Sequence, residues 1–299
     1  DDYSYHKSAS LAWLVFFVLL IWAIYSVRNS LSEVGHFSRA LVVMFGLIIT
    51  RAIMLIFSWP GSWYDLDIFD PIHHASNELI PSLGDLFLNM LVVLAIVREF
   101  AKYRFAGSEN KPNSSGWILT SVVTILMLLL VYPCALVFKL LVVNSSFSLD
   151  LTNPFGLDFF SLMALVVTAI MLFAIHLILR WVARWVSTFH TDIPTRSMVV
   201  LATSLVAILG ARLLLPEVFW AVLAGSIVVG FQLIASEWQS RSRGFSTFTS
   251  NVLAYTLLGC ILLMHYQSSN EIEDRKTIAR KIFSDEDPVA EFLFDEWRE

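Results

Sequence analysis

Residues 51–98 read RAIMLIFSWPGSWYDLDIFDPIHHASNELIPSLGDLFLNMLVVLAIVR, and no Lys or Arg stands between the two terminal arginines. An apolar run leads in, a connector rich in Asp, Pro and aromatic residues follows, and a second apolar run leads out. Translocated loops lack Lys and Arg, while short cytoplasmic loops keep them. The stretch therefore reads as the outer end of one membrane-spanning helix, an outer connector, and a second helix returning to the cytoplasmic side.

The same alternation recurs on both sides of this stretch. Residues 140–179 again lack Lys and Arg, whereas Arg28, Arg39, Arg98, Lys102, Arg104, Lys111, Arg180, Arg184, Arg196, Arg241 and Arg243 fall in the intervening zones. A span needs about 20 mostly apolar residues. Eight runs qualify: 10–27, 39–59, 83–101, 117–143, 158–182, 197–215, 217–236 and 245–266. The expected fold class is all-α, a polytopic transmembrane helix bundle of about eight spans with both termini outside (N-out/C-out). Residues 1–9 form an extracytoplasmic N-terminal segment, 10–266 the bundle, and 267–299 an extracytoplasmic amphipathic helical tail. The expected location is the inner (cytoplasmic) membrane, multi-pass. Only Leu215-Pro216-Glu217 separates the sixth and seventh spans, which predicts a tight helical hairpin.

Composition agrees. Of 299 residues, 57% are hydrophobic and 15% charged, where a soluble domain carries about 25% charged. The net charge of −5 collects in outer connectors and tail, which argues against nucleic acid as a partner. Cys134 and Cys260 both lie in apolar runs and predict no disulfide framework. Trp13, Trp59, Trp63, Tyr64, Trp117, Trp181, Trp185, Trp238 and Tyr266 fall near span ends, as an aromatic belt would. The chain starts at Asp1-Asp2-Tyr3 without a basic n-region, and the expectation is an internal segment or processed form of a longer protein. In the tail, Ile272, Ile278, Ala279, Ile282 and Phe283 recur at helical spacing. Asp287-Pro288 then restarts a helix with Val289, Phe292 and Leu293 as its stripe.

No P-loop, dinucleotide loop, HExxH or Gly-x-Ser-x-Gly motif occurs, so no catalytic residue and no cofactor is expected within these residues. Arg51 is the sharpest single residue. It lies about 18 Å into its span, where an arginine costs at least about 2.5–3.5 kcal/mol and must face a partner. Asp85 and Asn89, one turn apart on the next span, reach a similar depth. Arg51, Asp85 and Asn89 are thus a candidate intramembrane polar core, either a structural clamp between helices or a sensing or transport element.

Asp65, Asp67, Asp70, His73, His74 and Glu78 form a candidate cap in the outer connector. No Cys or His-x3-His spacing accompanies His73-His74, so no metal is expected. Asp70-Pro71 predicts a short helix running to Leu79, with the connector's aromatic rings packed on the second and third spans and Lys139 and Arg212, or backbone amides at the cap, serving its carboxylates. Interfacial snorkelling also explains Lys139, Arg212 and Glu217. Gln232 is expected to hydrogen-bond across helices, and His176 and His265 to lie in the interfacial belts.

Phe69-Asp70-Pro71, Ala75-Ser76 and Pro81-Ser82-Leu83-Gly84-Asp85-Leu86 with Asn89 resemble the FDP…AS…PSLGDLLLN signature of the membrane sensor regions of Bacteroidota-type multi-spanning sensor histidine kinases. The tail is similar to the helix that follows the last span in that family: Ala279-Arg280-Lys281-Ile282, then Asp285-Glu286-Asp287-Pro288-Val289-Ala290-Glu291. Here Glu286 replaces the usual basic residue. The resemblance implies a non-catalytic sensor module of a protein-histidine kinase in a two-component system. In that family such a region precedes an extracytoplasmic domain, another span and a cytoplasmic kinase, so the kinase would lie in the same longer chain, with the lipid bilayer as surroundings and a homodimer as a compatible assembly. A transporter or channel subunit, or a structural subunit of a larger membrane complex, are the rival readings.

Overall fold

The structure is a computed structural model that describes residues 2–31, 33, 35–72, 80–102, 116–145, 147, 149, 157–186, 193–241 and 245–284. Among these residues every regular element is helical. The α-helices are α1 (Asp2–Ser30), α2 (His36–Phe57), the one-turn α3 (Gly61–Tyr64), α4 (Leu83–Ala101), α5 (Gly116–Val143), α6 (Phe159–Val186), α7 (Ile193–Leu214), α8 (Phe219–Arg241) and α9 (Phe245–Ser284). Helix is the form that the apolar runs impose, because in lipid each backbone polar group must find its partner within the segment.

Seven of these helices are long and apolar enough to cross a membrane. The remaining long helix, α4, has 19 residues. It stands apart by charge, since Asp85, Arg98 and Glu99 all lie on it.

Helix α4 is the joint of the bundle. It packs against α6 on one side and α2 on the other, while α1 packs on α2. Beyond α6, the helices α5 and α8 form the centre, flanked by α7 and α9. The contiguous core runs from Leu83 and Leu86 of α4 through Val131 and Phe138 of α5 and Leu179 of α6 to Leu233 of α8 and Leu262 of α9. Small residues let transmembrane helices approach closely. At Gly225 of α8, a Cβ would come within 3.2 Å of Val131. Helix α5 runs unbroken through Pro133.

A 3-10 turn, Pro216–Val218, joins α7 to α8, and the two helices pack as the expected hairpin. Two boundaries differ from expectation. Helix α1 is continuous from Asp2, so residues 2–9 extend the helix rather than preceding it. Helix α9 runs 40 residues without a break. At 1.5 Å per residue it is about 60 Å long, against a hydrocarbon core of about 30 Å. Ile272 and Ile278 are exposed on its projecting part. Residues 285–299, with the expected second tail helix, lie outside the described residues.

Candidate functional site

The N-terminal end of α4 starts from a local signal. Ser82, in extended conformation, is the N-cap; its hydroxyl oxygen accepts from the Asp85 amide at 3.1 Å. The same hydroxyl donates to Asp85 Oδ2 at 2.7 Å. The one hydroxyl thus caps the helix and holds the carboxylate. It aims the second carboxylate oxygen away from the cap and into the bundle, and Asp85 is only 1% exposed.

Arg51 of α2 meets that oxygen. Its Nη2 lies 2.6 Å from Asp85 Oδ1 and also donates to the Asp85 carbonyl at 3.2 Å. Its Nε donates to Asn89 Oδ1 at 2.6 Å. Arg51 stands six residues from the end of α2 and Asn89 six residues into α4, so both lie about 9 Å below the outer helix ends. The structure thus brings Arg51, Asp85 and Asn89 together. The ion pair is buried, with the charges satisfied by hydrogen bonds on both sides, as a buried pair requires.

The connector contributes a fourth member. Tyr64 ends α3, and its hydroxyl accepts from Arg51 Nη1 at 3.4 Å. The hydroxyl's single proton reaches Asp85 Oδ1 at 3.0 Å or the Met54 carbonyl at 3.2 Å. Burial pushes the Tyr64 hydroxyl above its usual pKa; the Arg51 hydrogen bond opposes this, and the Asp85 charge adds to it. The phenol therefore remains a donor at neutral pH. Phe69 packs on Tyr64 with ring centroids 4.9 Å apart and lies against Gly84. The FDP and SLGDL segments thus meet at one place.

The indole rings of the connector depart from expectation. The rings of Trp59 and Trp63 pack on α1, with Trp59 4.4 Å from Trp13 and Trp63 5.2 Å from Phe17 between centroids. Tyr64 turns to α2 and α4, because its hydroxyl needs the polar core and the indoles do not, and Phe69 follows it onto α4. Asp70 closes a 3-10 turn, Asp67–Phe69, and its Oδ1 accepts from the Ile72 amide at 2.9 Å, the bond an N-cap side chain makes. Asp65 and Asp67 lie in the same turn region. His73, His74 and Glu78 lie outside the described residues, as does most of the helix expected up to Leu79. Among the described residues no three His, Cys, Asp or Glu side chains converge as metal ligands would. Arg212 sits over the Phe219 ring, 5.3 Å from its centroid, rather than on a connector carboxylate.

Two further polar groupings join the helices. At the opposite end of α4, Glu99 is 4% exposed and pairs with Arg28 of α1 at 2.6 Å and with Lys102. The Glu99–Lys102 spacing signals a helical pair; nothing local signals Arg28. Deep in the bundle, Gln232 of α8 donates to Asn251 of α9 at 2.5 Å and lies 3.2 Å from His176 Nδ1 of α6. His176 therefore faces a helix junction. Arg196, at the start of α7, is fully buried rather than displayed on a loop.

The fold and these sites define a polytopic helical membrane protein with a buried ion pair between two of its helices. Comparison with protein family models, with curated proteins and with solved structures finds no match to the chain.

Proposed function

We propose that this chain is the membrane sensor module of a signal-transducing receptor of the histidine-kinase class. In this reading all eight long helices span the cytoplasmic membrane, α4 included, and both termini lie outside. One observation carries it: the Tyr64 hydroxyl of the outer connector bonds into the Arg51–Asp85 pair that ties α2 to α4. An extramembrane segment is thereby wired to an intramembrane joint. A ligand or an attached outer domain that displaces the connector changes the pairing of α2 and α4. Helix α4 carries the change to Glu99 and, through Arg28, to the far end of α1.

The motifs that carry the family resemblance support the reading, since Phe69, Ser82, Gly84, Asp85 and Asn89 gather at this joint. Transporters build on discontinuous helices near the midplane, whereas α5 is continuous through its proline. The kinase would be a signalling domain of the same longer chain. The complete reading frame tests this: a histidine-kinase core downstream supports the receptor, and a frame that closes without one overturns it.

A further inference from the structure

The corner of the bundle that holds Glu99 also holds a groove, and its chemistry points to a ligand. Leu91, Leu94, Ala95 and Arg98 form one stripe of α4 and make its floor. Phe173 and Leu177 of α6 form one wall, and Tyr25 of α1 stands opposite. The groove measures about 530 Å3, within the usual range for a small-molecule site. Helix α6 packs directly on α4, and α1 reaches α4 at this end through the Arg28–Glu99 pair, so the groove lies between α1 and α6.

Polarity along the groove is ordered. Apolar side chains occupy the stretch nearer the middle of α4, and the cation stands one turn further, at the helix end. The charges at this end do not balance. Arg28 and Lys102 both engage Glu99, and Arg98 has no carboxylate at ion-pair distance among the described residues. Three cations thus face one acid. We propose that this groove seats an anionic phospholipid, with its phosphate on Arg98 and an acyl chain along Leu94 and Leu91. Basic pockets between transmembrane helices take acidic headgroups in this manner. A lipid there would bridge α1 and α6 across α4, which α1 otherwise reaches at this end through the Arg28–Glu99 pair.

Native mass spectrometry of the purified full chain in detergent, titrated with phosphatidylglycerol or phosphatidylcholine, tests the site. Phosphatidylglycerol should be retained about fivefold more tightly, the value of one arginine near a headgroup, and Arg98→Gln should abolish that preference. Ala95→Phe keeps the charge but fills the groove, and should also abolish it; Arg275→Gln on the exposed part of α9 should leave it intact. Equal retention of the two lipids by the wild-type chain would overturn the proposal. So would a preference that survives Ala95→Phe, which would put the lipid on the general surface. Should Arg98→Gln not fold, the wild-type and Ala95→Phe measurements still decide the matter.

Discussion

The ring of Phe69 lies directly over Gly84, where an added Cβ would stand 2.8 Å from the ring carbons. No real Cβ tolerates that distance, so the glycine is the condition for folding the outer connector down onto α4. The contact sets the height of Tyr64, whose ring packs on Phe69, and so sets the hydrogen bonds of its hydroxyl.

Gly84→Ala should push the Phe69 ring away and cost about 1–3 kcal/mol, as overpacking of a close contact does. Thermal unfolding of the purified protein in detergent measures it. Phe69→Leu in the same chain should recover part of the loss. A melting temperature unchanged by Gly84→Ala would mean that the connector does not rest on α4.

The Arg51–Asp85 pair makes a different prediction. Removing one partner of a buried pair strands the other and costs about 3–5 kcal/mol. Arg51→Leu alone should lower membrane abundance and thermal stability sharply, whereas Arg51→Leu with Asp85→Asn should restore most of both. If the double variant is no better than the single one, the two charges do not compensate each other.

Ser58 closes α2 with a left-handed backbone, at φ 46°. That conformation costs a residue bearing a Cβ about 1–2 kcal/mol, and glycine adopts it freely. Ser58→Gly should therefore raise the melting temperature slightly, and Ser58→Val should lower it. The opposite order would mean that the Ser58 side chain compensates for its backbone.

Much of this architecture is legible in the chain. Spans 39–59 and 83–101 fall on α2 and α4 to within a few residues, because long apolar runs and turn residues carry that information locally. Equal depth along two neighbouring helices is enough to set Arg51 beside Asn89. Tyr64 is not legible: it sits on a four-residue helix with no periodicity, and its reach depends on how the connector folds back. The landing of Trp59 and Trp63 on α1 is hidden for the same reason, since an aromatic belt marks depth but not neighbour. The Gln232, His176 and Asn251 junction joins three helices, and depth alone does not say which faces meet.

The orientation is open to direct labelling. The proposed topology puts both termini outside, so a cysteine introduced at Ser145 should react with an impermeant thiol reagent in intact cells, and one at Ser108 should not. Reaction at Ser108 with protection at Ser145 would invert the topology.

The central claim is that the outer connector governs a kinase through the α2–α4 joint. ATP-dependent autophosphorylation of the complete gene product in membrane vesicles tests it most directly, with the wild-type chain compared against Tyr64→Phe. The variant removes one hydroxyl and its bond to a charged partner, about 1.5 kcal/mol, and should leave the protein inserted and abundant. The account predicts histidine phosphorylation in the wild type and a changed level in Tyr64→Phe at equal abundance. A complete product that takes up no phosphate, or a variant that phosphorylates as the wild type does, would contradict it.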